Sequence, residues 1–239
     1  MSAPEKIPAE MLNDYTLNGA IAVEDWYMND TQTPSSERVF TAAEINELIE
    51  KANRREMHYY GDTDSFLYAA LDQFPVRGQN CVVMGTTIPW YESICLAYGA
   101  AACTCIEYWK IRCEHPSVTA ITPDEYDKNP MQFDAGFSIS SFEHDGLGRY
   151  GDPLNPNGDL IAMRKMKSII KKDGLLYLAL PVAKDKLVWN AHRIYGRHRL
   201  PLLLQGWQVV GAFGFSEQLL DIDTGKNGPY QPVFVLKNI

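Results

Sequence analysis

The 239-residue sequence has no long apolar run and no extended run of Lys and Arg. A helix that spans a bilayer needs about 18 or more consecutive apolar residues, and no segment approaches that length. The N-terminus has no apolar core flanked by positive charge, so no secretory signal is expected either. We therefore predict a cytoplasmic protein that neither spans nor enters a membrane.

The formal net charge of −8 argues against nucleic acid as the main partner. Binding a phosphate backbone requires a basic face, and the basic residues of this chain gather only locally, at 192–199. That patch keeps nucleic acid as a weaker alternative, and a small molecule is the favoured ligand class.

The five cysteines have the wrong spacing for a zinc site. Cys103 and Cys105 alternate along a predicted strand, and no second ligand pair accompanies them, whereas structural zinc takes four ligands. We predict no metal site. An odd number of cysteines in apolar company favours reduced, buried thiols, which is typical of cytosolic proteins.

The chain also lacks the glycine-rich loop of a dinucleotide-binding enzyme. Such a loop follows the first strand as Gly-x-Gly-x-x-Gly. Here the predicted strand 81–85 ends on Gly85 and continues as Thr-Thr-Ile-Pro-Trp. A nicotinamide-dependent enzyme is therefore the weakest of the functional alternatives.

From residue 80 onward the pattern alternates between strands and helices. Helices are predicted at 42–55, 64–74, 90–100, 159–172 and 190–205, and strands at 81–85, 103–109, 117–122, 133–142, 175–182, 207–215 and 231–239. This alternation implies an α/β fold with a mostly parallel sheet and helices on both faces. Residues 1–38 are polar and turn-rich and are predicted to be an N-terminal arm or mobile extension, and 39–239 are predicted to form one domain, with its N-terminal helices at 42–74 and its sheet core at 80–239.

An acidic residue, Glu107, stands at the end of the second predicted strand. A carboxylate in this position suits the two hydroxyls of a ribose, so the sequence favours an adenosine-containing cofactor. The alternative is a solvated charge at a strand end. Tyr108 follows directly and either lies against an adenine or packs as an ordinary aromatic residue.

The run EHDGLGRYGD, residues 143–152, follows the fourth predicted strand of the sheet. Open α/β sheets bind ligands at the carboxyl ends of their strands, and this run is too polar and too rich in glycine for packing. His144 is the candidate general base, with Asp145 or His192 as further catalytic groups; the alternative is a structural histidine. Substrate contacts are predicted for Glu143, Arg149, Tyr150, Asp152 and Tyr195.

The order of elements resembles the S-adenosylmethionine-dependent methyltransferases. Their Rossmann-like fold has a mostly parallel seven-stranded sheet with a C-terminal antiparallel hairpin and helices on both faces. Residues 84–92, 107–108 and 143–153 resemble, more narrowly, a methyltransferase-like family first catalogued from Caenorhabditis proteins of unknown function. Residues 190–196 also fit, and the resemblance covers roughly 59–239.

The resemblance implies S-adenosylmethionine as the cofactor. The residues expected to hold it are Tyr60, Asp64, Gly85, Thr86, Trp90, Glu92, Glu107, Tyr108 and Ser141. For two of them a structural role is the alternative, since Trp90 could be a core residue and Asp64 a helix cap. Ordinary methyltransferases carry Gly-x-Gly-x-Gly after the first strand, so the single Gly85 implies either a different loop path or a lost site.

The leading hypothesis is therefore a methyltransferase that modifies an oxygen of a small polar acceptor, such as a sugar or glycan hydroxyl. His144 would remove the proton as the oxygen attacks. The alternative is a degenerate methyltransferase fold that acts as a binding or scaffold module. Residues 1–38 could order on a partner or on a second subunit of a homo-oligomer.

Overall fold

The computed structural model describes residues 3–31, 38–226 and 230–239. Its strands are β1 (Ala22–Trp26), β2 (Arg38–Phe40), β3 (Asn80–Met84), β4 (Ala102–Ile106), β5 (Ile111–Cys113), β6 (Val118–Ile121), β7 (Phe133–Ile139), β8 (Ile170–Ala179), β9 (Lys186–Asn190), β10 (His192–Ile194), β11 (Trp207–Phe213) and β12 (Val233–Asn238). Its α-helices are α1 (Leu12–Tyr15), α2 (Ala42–Asn53), α3 (Asp62–Gln73), α4 (Trp90–Ala97), α5 (Pro123–Lys128), α6 (Gly158–Ile169) and α7 (Arg199–Leu203). Short 3₁₀ turns lie at Ala9–Met11, Phe142–His144 and Glu217–Asp221.

Seven strands form the central sheet in the order β11-β12-β8-β7-β3-β4-β6. Strand β12 runs antiparallel to both β8 and β11. The remaining neighbours in the sheet, from β8 through β7, β3 and β4 to β6, pair in parallel. Numbered by their order along the chain, these strands read 6-7-5-4-1-2-3. The predicted fold class and the closing hairpin are confirmed.

Both faces of the sheet are covered, and β8 shows why. Tyr177 and Ala179 pack with α3 and α4 on one face, whereas Leu176 and Leu178 pack with α6 and α7 on the other. Successive side chains of a strand point to opposite faces. The apolar part of β8, residues 175–179, is therefore covered on both sides, as parallel sheets require.

Two predicted helices differ from the structure. The segment predicted as a helix at 190–205 contains the end of β9, then β10, and becomes helical only at Arg199–Leu203. Strand β9 lies between β1, which is parallel to it, and β10, which is antiparallel. The helix predicted to continue to residue 172 ends at Ile169, because Ile170 enters the sheet opposite Phe133.

The N-terminal segment packs against the rest of the chain where the structure describes it. Tyr15 is buried, with its ring edge-on to Trp189 at 5.3 Å. The Tyr15 hydroxyl donates to the Gly146 carbonyl at 2.6 Å, and Trp189 Nε1 donates to the Pro4 carbonyl at 3.1 Å. These contacts join the N-terminal segment to the loop after β7 and to β9. The arm or mobile extension at 1–38 and the domain boundary at residue 38 stay predictions.

A second, two-stranded sheet was not predicted from the sequence. It pairs β2 with β5 in parallel, with Arg38 opposite Ile111 and Phe40 opposite Cys113. Three-residue strands are too short for an alternating pattern to identify them.

Candidate functional site

A cavity of about 690 Å³ opens at the carboxyl ends of β3, β4 and β7. Strand β3 has β4 on one side and β7 on the other, so the cavity lies at the point where the strand order of the sheet reverses. This is the usual ligand position in open α/β sheets. We divide the lining into two parts. The strand-end half consists of Gly85, Thr86, Glu107 and Tyr108, and the loop half of Tyr60, Ser140, Ser141, His144, Asp145, Arg149 and Tyr150.

Gly85 is required at the turn after β3. Its φ of +73° lies in the left-handed region that favours glycine. A Cβ added there would stand 2.6 Å from the Ser141 hydroxyl oxygen and 4.0 Å from Glu107 Oε2. The missing side chain thus lets the backbone pass close to both residues, which brings β3, β4 and β7 together at one point.

The Glu107 carboxylate is held by backbone N–H groups. Thr86 N donates to Oε2 at 2.8 Å and Tyr108 N donates to Oε1 at 2.8 Å. An ionised carboxylate accepts about four hydrogen bonds, so both oxygens keep capacity for the hydroxyls of a ligand. Glu107 is half-buried and faces the cavity with a fixed orientation.

Asp64 has a packing role in this structure. Its carboxylate accepts from the backbone N–H groups of His58 and Tyr59, from Trp90 Nε1 at 3.0 Å and from the Tyr91 hydroxyl at 3.3 Å. It is fully buried and does not line the cavity, whereas Trp90 does. Four protein donors leave this carboxylate little capacity for a ligand.

Glu92 lies beneath the strand-end half. It is fully buried in the first turn of α4, and Oε2 is 3.5 Å from the Thr86 hydroxyl. Its Oε1 has no hydrogen-bond partner among the described residues. Desolvation raises the pKa of Glu92 to about 7, which makes the protonated form substantial at neutral pH.

His144 has a fixed orientation and a defined tautomer. Its Nδ1 lies 2.7 Å from the Ala191 carbonyl oxygen. Because a carbonyl only accepts, Nδ1 carries the proton and Nε2 keeps its lone pair. Burial lowers the pKa of His144 to about 4, so the ring is neutral at physiological pH.

Glu143 and Asp145 flank His144, and burial disfavours the ionised form of both carboxyls. Desolvation raises the pKa of Glu143 to about 7 and that of Asp145 to about 8. Ser140 Oγ donates to Glu143 Oε1 at 2.5 Å, while Glu143 Oε2 has no partner among the described residues. Asp145 lines the cavity and Glu143 lies behind the lining.

Arg149, Tyr150 and Asp152 line the outer part of the loop half. The Arg149 Nε donates to Asp30 Oδ2 at 2.7 Å, and its guanidinium lies over the Tyr150 ring at 4.9 Å from the centroid. Asp152 accepts from three backbone N–H groups of its own loop. Asp152 therefore shapes the loop, and Arg149 connects it to the N-terminal segment.

A buried charge cluster holds this loop from below. It consists of Asp159, Arg193, Tyr195 and Arg199, all fully or nearly fully buried. Arg199 Nη2 donates to Asp159 Oδ1 at 2.6 Å, and the Tyr195 hydroxyl donates to Asp159 Oδ2 at 2.9 Å. Arg193 Nη1 donates to the Asp145 carbonyl at 2.7 Å.

The role of this cluster was not predicted from the sequence, in which Asp159 opens the predicted helix 159–172 and Arg193 and Arg199 lie in the predicted helix 190–205. The available signal was the density of ionisable residues in an otherwise apolar stretch. The structure does not bring Tyr195 to the cavity.

His192 lies next to His144 but outside the cavity lining, with the ring centroids 6.4 Å apart. Its Nε2 is buried without a partner among the described residues, and burial lowers the pKa of His192 to about 4.

Of the predicted site residues, the structure brings twelve to the cavity wall: Tyr60, Gly85, Thr86, Trp90, Glu107, Tyr108, Ser141, His144, Asp145, Arg149, Tyr150 and Asp152. It places five elsewhere: Asp64, Glu92, Glu143, His192 and Tyr195. Further aromatic lining comes from Tyr59, Trp109 and Tyr126. Among the described residues, no group of three or more His, Cys, Asp or Glu side chains is placed to hold a metal ion, and no helix is long and apolar enough to cross a membrane.

Residues 78–231 match the model of a family described as "Caenorhabditis protein of unknown function, DUF268". No curated protein matches the chain. Among solved structures, a "putative hemolysin" from Lactococcus lactis is 13% identical, with a TM-score of 0.49 over 77% of this chain and 90% of that one. An S-adenosylmethionine-dependent methyltransferase from Mesorhizobium loti is 12% identical, with a TM-score of 0.47 over 72% and 97%. The N-methyltransferase NodS from Bradyrhizobium japonicum is 12% identical, with a TM-score of 0.46 over 81% and 97%. Likenesses this distant identify no activity for this chain.

Proposed function

This chain belongs to the family of Caenorhabditis proteins of unknown function DUF268, and we propose that it is an S-adenosylmethionine-dependent methyltransferase. The finer part of the proposal is that it methylates an oxygen of a small polar acceptor, such as a sugar or glycan hydroxyl. One observation supports the proposal of a methyl-donor site. Gly85 and the fixed Glu107 carboxylate meet at the reversal point of the sheet, on the wall of a large cavity.

The strand-end half fits an adenosine-containing ligand. Glu107 Oε2 accepts from the backbone N–H of Thr86 and Oε1 from those of Tyr108 and Trp109, so the carboxylate keeps capacity for the hydroxyls of a ribose. Tyr108 and Trp109 follow on the same loop and offer aromatic rings for an adenine. The cavity volume of about 690 Å³ lies within the range of roughly 300–1,000 Å³ that ligand sites show.

The loss of the usual glycines is compatible with this donor. S-adenosylmethionine has no phosphate, so the loop after β3 does not need a row of free N–H groups. Here the loop is stabilised internally, since Thr86 N donates to Glu107 and the Thr86 hydroxyl donates to the Ile88 carbonyl at 2.8 Å. We infer a different loop path around the donor.

When bound, the donor would supply a methyl group on a positively charged sulfur. His144 is the proposed base, because its neutral ring keeps a lone pair on Nε2 and lines the cavity. Alignment of the acceptor oxygen with the methyl group would supply most of the rate. Tyr59 and Tyr150 add exposed aromatic faces to the loop half, and such faces suit the C–H side of a sugar ring.

Calorimetric titration with S-adenosylmethionine and S-adenosylhomocysteine tests the donor site. We expect the wild type to bind both ligands and Glu107→Ala to weaken binding at least about tenfold, since hydrogen bonds to a charged group contribute roughly 1.5–3 kcal/mol. Glu107→Gln should lose less, because it keeps an oxygen acceptor. Glu50→Ala, an exposed substitution on α2, is the matched control.

A folded wild type that binds neither ligand would contradict the donor proposal. The alternative, a degenerate fold used as a binding or scaffold module, is motivated by the single glycine after β3 and predicts that result. If the donor binds, transfer of a labelled methyl group to a panel of mono- and oligosaccharides tests the acceptor. Labelled products confined to amines would refute the oxygen assignment.

A further inference from the structure

We propose that Glu143 and His144 share one exchangeable proton, and that Glu143 sets the pH at which His144 can take the proton of the acceptor. Glu143 does not line the cavity, so it acts through His144 and is a positioning residue. The use of the pair in catalysis rests on the proposed function. The coupling itself is a property of the ligand-free protein.

The imidazole ring of His144 has a fixed orientation. His144 Nδ1 is bound to the Ala191 carbonyl oxygen at 2.7 Å, and Arg149 Nη1 donates to the same oxygen at 3.3 Å. The Nδ1 proton is therefore committed, and Nε2 is the one ring atom able to accept another proton.

The Glu143 carboxylate lies close to the free nitrogen of this ring. Glu143 Oε1 lies 3.7 Å from His144 Nε2, beyond hydrogen-bond length but within ion-pair range. Groups at this separation interact strongly when both are buried, and contacts of this kind tighten in the substrate complex. A charge on either group therefore changes the proton affinity of the other.

Among the described residues, the Glu143 carboxylate has no Lys or Arg ion-pair partner that would compete with His144. Within residues 3–31, 38–226 and 230–239, no Lys or Arg side chain forms an ion pair within 4.0 Å of the Glu143 carboxylate, and its one ionisable basic neighbour at that distance is the His144 ring. Arg193 reaches Glu143 only at its backbone carbonyl, at 3.4 Å. Since Glu143 Oε2 has no partner in the same residues, the carboxylate is free to respond to the imidazole.

Proton affinities support this geometry. Burial lowers the pKa of His144 to about 4, so an isolated ring would hold an abstracted proton poorly. The pKa of Glu143 is raised to about 7, so the carboxylate can retain the proton near neutral pH. Two groups coupled this closely titrate as a pair.

Other ionisable groups surround the pair. They are the cations Arg149 and Arg193, the acids Asp145, Asp152 and Asp159, the neighbouring His192, and the tyrosines Tyr60, Tyr150 and Tyr195. The tyrosines stay neutral, because burial raises the pKa of Tyr60 and Tyr150 to about 12 and holds the pKa of Tyr195 well above its usual range. Asp145 is the neighbour whose titration comes closest, since its pKa is raised to about 8.

The proton balance is complete without a further reactant. The acceptor O–H bond breaks and its proton goes to His144 Nε2, while the oxygen forms a bond to the methyl carbon. The sulfur–methyl bond breaks and its electron pair stays on sulfur, which becomes a neutral thioether. The proton then passes to Glu143 and leaves to solvent after the product departs.

Nitrogen-15 NMR of histidine-labelled, ligand-free protein tests the pair. The His144 signals are assigned from their loss in His144→Gln. In the wild type we expect the His144 Nε2 resonance to move with a midpoint near pH 7, in step with Glu143. In Glu143→Gln, which keeps the acceptor for Ser140, the resonance should show no transition between about pH 5.5 and 8.5.

Two further variants keep the test sharp if Glu143→Gln folds poorly. Ser140→Ala removes a hydrogen bond that lowers the pKa of Glu143, so the midpoint should move upward. Asp145→Asn removes the neighbouring acid and should retain the wild-type transition. Identical curves for the wild type and Glu143→Gln, or for the wild type and Ser140→Ala, would overturn the proposal. No donor or acceptor is present, so this failure is distinct from a failure to bind S-adenosylmethionine.

Discussion

The two halves of the cavity are built by different means. The strand-end half depends on neighbours in one β–loop–α–β unit, where Gly85 and Thr86 contact a carboxylate about twenty residues later in the chain. The loop half depends on Arg193 of β10, which donates to the Asp145 carbonyl, and on Asp159 of α6, which pairs with Arg193. The strand-end half is fixed by backbone hydrogen bonds, and the loop half by charges removed from water. Side-chain changes in the strand-end half should therefore weaken binding more than folding, whereas changes to the buried charges beneath the loop half should weaken folding first.

The largest expected effect is at the base of the loop half. Asp159→Asn keeps the side-chain shape but leaves Arg193 and Arg199 buried without a counter-charge. Removing one partner of a buried ion pair costs about 3–5 kcal/mol, and we expect a loss of that size in the free energy of unfolding. Urea unfolding followed by circular dichroism measures it.

The matched control is Asp127→Asn. Asp127 pairs with Lys165 at 2.8 Å on the surface, with both side chains substantially exposed. Exposed pairs contribute about 0–1 kcal/mol. If Asp159→Asn costs no more than this control, the buried charge cluster does not support the loop half.

The next effect is the pH dependence of stability that arises from two buried carboxyls, Glu92 beneath the strand-end half and Glu143 behind the loop half. The pKa of Glu143 and that of Glu92 are raised from 4.5 to about 7 in the folded protein. The unfolded chain therefore releases these protons first, and their contribution to stability is full below pH 4.5 and is lost as pH rises to about 7.

We expect Glu92→Gln and Glu143→Gln each to flatten the fall in stability between pH 5 and 8, by on the order of 1–3 kcal/mol. His144 and His192 have lowered pKa values, so they act in the opposite direction, removing stability as pH falls from 6.5 to about 4. Glu92→Gln keeps both histidines and the Glu143 carboxyl, so the histidine contribution cancels between that variant and the wild type. Urea unfolding at each pH measures the curves, and a variant curve parallel to the wild type would show that its carboxyl is not buried as a neutral group.

The strand-end half was predictable from the sequence because its signals are local. A buried strand, a glycine at its end and an acid at the end of the next strand are all within 30 residues, and the sheet order confirms the strands that carry them. The loop half was only partly predictable. His144 was identified from its residue type and position, but its tautomer depends on Ala191, which is 47 residues away.

The errors have one physical origin, which is pairing at long range. Residues 190–205 contain apolar positions that fit a helix, yet β9 pairs with β1, where Val23 lies opposite Leu187. Nothing near residue 190 indicates that a strand from the N-terminal segment will be available. The contacts of the N-terminal segment are long-range as well, since Tyr15 bonds to Gly146, 131 residues later, and Pro4 to Trp189, 185 residues later.

The smallest effect separates two costs at Gly85. Gly85→Ala places a Cβ at a φ of +73° and 2.6 Å from the Ser141 hydroxyl oxygen, whereas Gly78→Ala meets a φ of +72° with nothing within 4 Å. Left-handed backbone costs a residue with a Cβ about 1–2 kcal/mol, so Gly78→Ala measures that strain alone. We expect the loss of stability in Gly85→Ala to exceed that in Gly78→Ala by about 1 kcal/mol, the cost of moving Ser141, and we expect Gly85→Ala to abolish binding of the donor in calorimetry.

Ser141→Ala in the Gly85→Ala background should recover this additional loss of stability but not the loss caused by backbone strain. Equal losses for Gly78→Ala and Gly85→Ala, with donor binding intact, would mean that the close approach at Gly85 is not what shapes the strand-end half.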